Sequence, residues 1–501
     1  MRRPSAYARI AQRHESRTER RFSAVHAAAL ALASFLAFPC AAQTSTPRAP
    51  ADVTLAPPPG AQVVELTTDP GMFSEPSIAI NPLNPQQVVA AYQVNASVGY
   101  SMDAGRSWAI AEGTAPEDYR RSGDVSVTFD NQGHALLCYI AFDKLGTENY
   151  WAHNATRNGI FVRRSSDGGK TWDKDASTVI SQPSAPGIPF EDKPYIVADT
   201  TRSKYAGNLY IGWTEFSLTK SIMLFSRSTD GGRTWSKPIE ISTREGLPRD
   251  DNGAVEGFTG AVGADGALYV VWCDISGIVL AVSEDGGHTF SPSRTVVKTG
   301  PSYFDPEHVS RGNGFPQIGI DPRNGELYVA WSDYSNGDID VLAASSTDQG
   351  ATWSAPVRVN NDAPHNGRDQ FFQWMAVDPS DGSVNVVFCD RRADPANRSY
   401  YMTLARSTDH GQSFRNYAWS TKPSDPSHLF MGDYMGIAAN GGRVYGVWPR
   451  TALEEEVEKS QEPAKQSEKA GGEGNPLANA KLRGLYIEVG IADFSAAGAT
   501  H

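Results

Sequence analysis

The chain has 501 residues, a hydrophobic fraction of 40% and a formal net charge of −12. Its length and apolar content allow a substantial core, and 46 glycines with 32 prolines point to the many turns of an all-β protein. The acidic balance argues against a nucleic acid or an anionic membrane as partner. Past the N-terminal region no segment reaches the ~18 apolar residues of a membrane span.

Residues 1–42 read as a signal peptide. They carry seven Lys/Arg and two Asp/Glu, and then an apolar run from Ala24 to Phe38 broken only by His26 and Ser34. Cys40, Ala41 and Ala42 offer a cleavage site before Gln43, so the expected location is secreted or periplasmic. Removal of the leader leaves 38 Lys/Arg against 55 Asp/Glu, a net charge of −17. Residues 43–60, rich in Pro, Ala and Thr, read as a flexible lead-in. Residues 61–495 form the domain. Three cysteines remain, Cys138, Cys273 and Cys389, widely spaced and without a CxxC, so neither a disulfide framework nor a zinc site is expected.

One octamer recurs six times: Ser101–Trp108, Ser165–Trp172, Ser228–Trp235, Ser283–Phe290, Ser346–Trp353 and Ser407–Phe414. The form is Ser-x-Asp-x-Gly-x-Ser/Thr-Trp/Phe, and the first serines lie 64, 63, 55, 63 and 61 residues apart. Asp and Ser/Thr side chains that bond nearby backbone N–H groups, with Gly at positive φ, make a tight turn. A second pattern precedes each octamer, a strand ending in an aromatic residue: Val88–Tyr92, Ala135–Tyr139, Leu209–Trp213, Leu268–Trp272, Leu327–Trp331 and Val384–Phe388. A seventh copy, Val444–Trp448, has no octamer after it. Each unit is therefore four antiparallel strands, and such units arranged radially give a seven-bladed β-propeller, or six blades if the last unit does not close. The seventh unit lacks its fourth strand, and Val63–Thr67 is expected to supply it by pairing near Leu485–Val489. Residues 452–480, rich in Glu, Lys, Gln, Gly and Ala, read as a disordered insertion in that unit.

The octamers are Asp boxes, and over the mature chain the sequence resembles the sialidase (neuraminidase) superfamily of Asp-box, or bacterial neuraminidase repeat, propellers. The resemblance implies boxes on the face away from the site, and a site built by the starts of the inner strands and the exits of the second strands. Glu75, Asp124, Asp192 with Lys193, Glu256, and Asp433 with Tyr434 stand at inner-strand starts. Glu215, Asp274, Asp333 with Tyr334, Asp390 with Arg391 and Arg392, and Arg450 stand at second-strand exits.

A glycan-active hydrolase of exo-α-sialidase type, or a related glycosidase, is what the resemblance implies; the alternative is a propeller that only binds a glycan or a protein. It nominates Tyr434 or Tyr334 as nucleophile, a neighbouring acid such as Glu215 as its base, and Asp124 or Asp192 as acid, with Asp433 alongside. Arg391, Arg392 and Arg450 would clamp an anionic substrate, with Asp390, Asp333 and Tyr334 around them. The family's Phe-Arg-Ile-Pro motif is absent; the nearest stretch, Gly314-Phe315-Pro316-Gln317-Ile318, has no arginine. Paired acids can also bind Ca2+ through oxygen ligands, though no EF-hand loop is present and no other cofactor is expected. Tyr150-Trp151 either stacks on a sugar ring or covers the neighbouring blade.

Overall fold

The computed structural model describes residues 54–495 apart from 115, 117, 148–149, 427–428, 454–455 and 457–483. The expected signal peptide, most of the lead-in and most of the 452–480 insertion lie outside the described residues. The architecture is a seven-bladed β-propeller of four-stranded antiparallel sheets. The inner strands, from blade one to blade seven, are Ser74–Ile80, Arg121–Phe129, Phe190–Ala198, Glu256–Val262, Gln317–Ile320, Gln370–Val377 and Gly436–Asn440. Each packs on the next around the ring, and the first packs on the last.

Blade seven closes with the N-terminal strand Gln62–Glu65, which pairs antiparallel with Leu485–Asp493 in the register Val63 to Gly490 and Val64 to Val489. The expected closure is thus the one observed, and the last sheet presents no open edge there.

The periodic residues do what their chemistry dictates. All seven aromatics at the second strands are buried: Tyr92, Tyr139, Trp213, Trp272, Trp331, Phe388 and Trp448. In every octamer the Ser Oγ accepts the Gly N–H at 2.8–2.9 Å and donates to the Asp carboxylate at 2.7–2.9 Å. The same carboxylate accepts the N–H and the hydroxyl of the following Ser/Thr at 2.8–3.0 and 2.5–2.6 Å. The octamer's Gly and the residue before it both have positive φ, as at Gly231 (72°) and Gly232 (83°), a conformation that favours glycine, which fills the later position in all six octamers and the earlier one in three. Cys138, Cys273 and Cys389 are buried and unbonded.

Two features of the fold shape the mouth of the ring. Five inner strands carry a β-bulge near their start, where the register slips: Ser74/Ser77, Gly123/Ser126, Asp192/Tyr195, Glu256/Thr259 and Phe371/Trp374. Within these bulges Glu75 (φ 51°), Asp124 (47°), Lys193 (50°), Gly257 (87°) and Phe372 (52°) are left-handed. A bulge re-aims the side chains beside it. Below, Trp374 lies between Tyr195 and Tyr434, with ring centroids at 5.9 and 5.7 Å. This aromatic plug separates the mouth cavity from a shallower one at the far end of the ring, between residues such as Ile80, Phe129, Ala198 and Val377.

Candidate functional site

The mouth holds a cavity of about 610 Å3, within the size range of small-molecule sites. Eight acidic side chains line it, Glu75, Asp124, Asp192, Asp250, Asp251, Glu256, Asp305 and Asp433, against two basic ones, Lys193 and Arg311. Phe142, Trp151, Phe190, Tyr303, Phe304, Phe430 and Tyr434 supply aromatic wall. Trp151 therefore belongs to the cavity as well as packing on Phe190 at 6.4 Å.

The inner-strand bulges deliver the first group. Glu75 accepts from the Gln93 amide and from the Asp433 N–H at 3.2 Å. Gly432 lets it sit there, because a Cβ on that residue would lie 2.1 Å from the Glu75 Cγ. Asp124 accepts the Lys193 N–H at 2.9 Å. The Lys193 ammonium lies 4.0 Å from the Tyr434 ring centroid and 4.9 Å from that of Phe315, a cation–π arrangement.

The second group comes from long connections between blades. Tyr303–Phe304 and Gly312–Asn313 form a two-stranded hairpin between blades four and five. Asn252, in the connection before blade four, clamps this hairpin by exchanging bonds of 2.8 and 3.0 Å with the Tyr303 backbone. The Tyr303 hydroxyl donates to Glu256 at 2.5 Å and touches Asp250. Arg311 bonds Asp433 through Nε at 2.7 Å, and its other nitrogens contact Asp433 and Asp250.

Burial and like charge govern the proton affinities. Burial, then the charges of Asp124 and Asp433, push the Glu75 pKa well above the carboxylate range. Burial and Asp124 do the same to Asp192. Burial raises Glu256 to about 8, although the Tyr303 hydrogen bond works the other way. Burial, Glu256 and Asp433 keep Tyr303 a neutral phenol. The mouth thus brings proton-holding carboxyls together with a hydroxyl that bridges two acids, an arrangement suited to general acid–base work.

Of the residues nominated from sequence, Asp124, Asp192, Asp433 and Tyr434 line this cavity. Tyr434, however, directs its hydroxyl to the Val125 carbonyl at 3.2 Å, in the plug. Tyr334 stands outside the cavity lining, edge-on to Phe304 at 5.6 Å. Glu215 also lies outside it, beside Glu191 in blade three; burial and Glu215 raise Glu191 to about 8.

The expected convergence of acids from the second-strand exits is corrected. Asp333 accepts from Trp331 and Ser335 at 2.8 Å each, and Asp274 accepts the Ser276 N–H at 2.6 Å. These carboxylates cap their own turns, and the bulges aim the inner-strand acids into the mouth in their place.

The expected arginine clamp is corrected as well: among the described residues Arg391, Arg392 and Arg450 bond separate sets of partners. Arg391 is fully buried, donates to the Glu307 carbonyl at 2.7 Å, and lies over the Phe371 ring. Arg392 is tied to Asp390 at 2.6 Å and to Asn361 and Asn416. Arg450 binds Glu488 at 2.5 Å, Glu456 at 2.8 Å and Glu65 at 3.0 Å on the closing sheet. A buried guanidinium without a counter-charge is strongly unfavourable; Arg391 lies 3.6 Å from Asp369, and Arg392 and Arg450 bond the acids just named.

Sequence reasoning missed Tyr303, Asp250 and Arg311. The available signal was length: the chain runs from Val297 to Gln317 between consecutive blade strands, and long connections are often functional. Among the described residues no group of three or more His, Cys, Asp or Glu side chains is placed to hold a metal ion.

No protein family and no curated protein matches the chain by sequence. Among solved structures it is similar to a Hadza microbial sialidase, at 16% identity and a TM-score of 0.43, over 72% of this chain and 70% of that one. An ulvan lyase bound to a GlcA–Rha3S repeat gives 11% identity and 0.45, over 77% and 93%. An α-L-arabinofuranosidase of Fusarium graminearum gives 14% and 0.43, over 76% and 96%.

Proposed function

We propose that the chain is an exported glycan-active enzyme, a glycosidase acting in the mouth cavity. The observation that supports this reading most is the Glu256–Tyr303–Asp250 cluster, set in one aromatic-walled cavity with the protonated carboxyl of Asp192. Aromatic walls suit the apolar faces of sugar rings. In the proposed reaction the Tyr303 oxygen attacks the anomeric carbon as its proton passes to ionised Glu256. The glycosidic C–O bond breaks, and the leaving oxygen takes the proton of Asp192. Water then attacks the anomeric carbon, giving its proton back to Asp192, and the bond to Tyr303 breaks as Glu256 reprotonates it. Tyr303 stands in the part that the resemblance assigned to Tyr434 or Tyr334, because of the two tyrosines among the described lining residues it is the one whose hydroxyl bonds carboxyl groups.

The finer reading, release of terminal sialic acid, needs a cationic clamp for the sugar carboxylate. Arg311 is the one arginine among the described lining residues, and two aspartates already occupy it. A related glycosidase fits the cavity better. The test is turnover of a panel of neutral, amino and acidic oligosaccharides, with Tyr303→Phe and Glu256→Gln as controls. Cleavage by the wild type and its loss in both variants supports the reading. Equal activity in the variants, or no turnover of any glycan, overturns it.

A further inference from the structure

We infer that the mouth cavity recognises a cationic glycan, one whose sugar bears a free, protonated amine. The inference rests on the glycan-active reading and names its substrate class.

Charge is the first ground. The lining holds eight acidic side chains against two basic ones, and with Glu75, Asp192 and Glu256 holding protons the remaining acids still exceed the bases by three; neither base is free to meet an anionic ligand. Arg311 is held between Asp250 and Asp433, and the Lys193 ammonium lies against the faces of Tyr434 and Phe315. An incoming carboxylate or sulfate would meet uncompensated acids, whereas an ammonium group would supply the counter-charge that the lining lacks. A cleft lined by one sign of charge also concentrates ligands of the opposite sign.

Shape is the second and independent ground. The cavity is floored by the Tyr195–Trp374–Tyr434 plug and walled by aromatic rings such as Trp151 and Phe430. Aromatic faces accept both the C–H face of a sugar and a cation. A volume of about 610 Å3 accommodates a ring-shaped ligand, where a slender lysine side chain would leave most of the wall uncovered.

The test is calorimetric titration of the full-length processed protein at mildly acidic pH, where glucosamine amines carry their protons, with three ligand types: a β-1,4-glucosamine hexamer, its fully N-acetylated counterpart and a sialylated trisaccharide. The expected result is at least about tenfold tighter binding of the free-amine hexamer than of the acetylated one. That advantage should shrink in ~0.5 M NaCl, where the screening length falls to a few ångströms. Asp305→Asn with Asp251→Asn, two carboxyls at the cavity outside the Tyr303 cluster, should weaken the free-amine hexamer and leave the acetylated one unchanged. Equal or tighter binding of the acetylated or sialylated ligand overturns the inference and leaves the glycan-active reading standing. A pentalysine peptide that binds as tightly as the free-amine hexamer overturns the substrate class. Absence of binding to every glycan overturns both readings.

Discussion

The Tyr303 hydroxyl donates to Glu256 at 2.5 Å although the two residues lie 47 positions apart. One stands in the hairpin before blade five, the other at the start of the inner strand of blade four. The pair exists because the bulge at Glu256/Thr259 and the Asn252 clamp on the Tyr303 backbone fix both partners independently. Removing the hydroxyl alone therefore tests chemistry with little change in position. Tyr303→Phe is expected to lower kcat/KM on a cleaved glycan by about 10²–10⁴-fold, chiefly through kcat. An unchanged kcat would remove Tyr303 from the reaction.

The pH–rate profile should be bell-shaped and lie well above the ordinary carboxylate range. As the base, Glu256 must be ionised, and its pKa of about 8 sets the rising limb. As the acid, Asp192 must be protonated, and burial with the neighbouring Asp124 moves its limb up from the ordinary carboxylate range. A profile of kcat/KM that peaks near pH 5 would overturn this assignment.

Stability should run the other way. Glu75, Asp192, Glu191 and Glu256 hold their protons more tightly folded than unfolded. Their contribution is complete below the ordinary carboxylate range and is lost as pH rises through about 8 for Glu191 and Glu256. The octamer aspartates have the opposite sign. Asp103 and Asp285 are held at about 2, chiefly by the hydroxyl and backbone bonds of Ser107 and of Thr289, the latter against a burial effect that raises Asp285. Their contribution is present above pH ~4 and is lost toward pH ~2. The melting temperature should therefore peak at mildly acidic pH and fall by several degrees toward pH ~9. Glu191→Gln should flatten that fall, and a wild-type Tm that rises steadily to pH 9 would contradict it.

The fold was legible in the sequence because its determinants are local and repeated. The Ser–Asp–Gly–Thr network of an octamer closes within eight residues, so each copy announces its turn. Counting units against octamers exposed the missing strand that Val63 and Val64 supply. The inner-strand acids Asp124, Asp192 and Asp433 could be assigned to the mouth because strand order alone puts them there. The rest depended on tertiary pairing. Arg311 meets Asp433 across 122 positions, and Arg450 meets Glu65 across 385. No local pattern distinguishes an arginine bound for a cavity from one bound for a neighbouring acid.

Thiol chemistry offers a simple check of blade assignment. Cys138, Cys273 and Cys389 sit in blades two, four and six, and burial pushes each thiol pKa up. A buried protonated thiol is a poor nucleophile. Native protein lacking residues 1–42 should react slowly with a thiol reagent, and the same protein denatured without reductant should titrate three groups. A count of one would mean a disulfide that the blade positions forbid.

Ring closure gives the sharpest test of the fold. Gln62–Glu65 covers the outer edge of Leu485–Asp493, and the contact continues past the strand: Leu66 donates to the Ile487 carbonyl at 2.7 Å and the Thr67 hydroxyl accepts the Ile487 N–H at 3.0 Å. Glu65 also neutralises the buried Arg450 and the half-exposed Lys422. A chain beginning at residue 68 would leave that edge unpaired and remove one carboxylate from Arg450, although Glu488 and Glu456 remain to it. An unpaired strand edge recruits other chains. The truncated protein is expected to melt at least about 5 °C lower and to self-associate in light scattering, while the full domain stays monodisperse. A synthetic peptide of residues 61–67 added in trans should raise the truncated protein's Tm and suppress association, because it refills the same edge in the same register. If the truncated chain remains monodisperse with an unchanged Tm, the N-terminal strand is not what closes the ring.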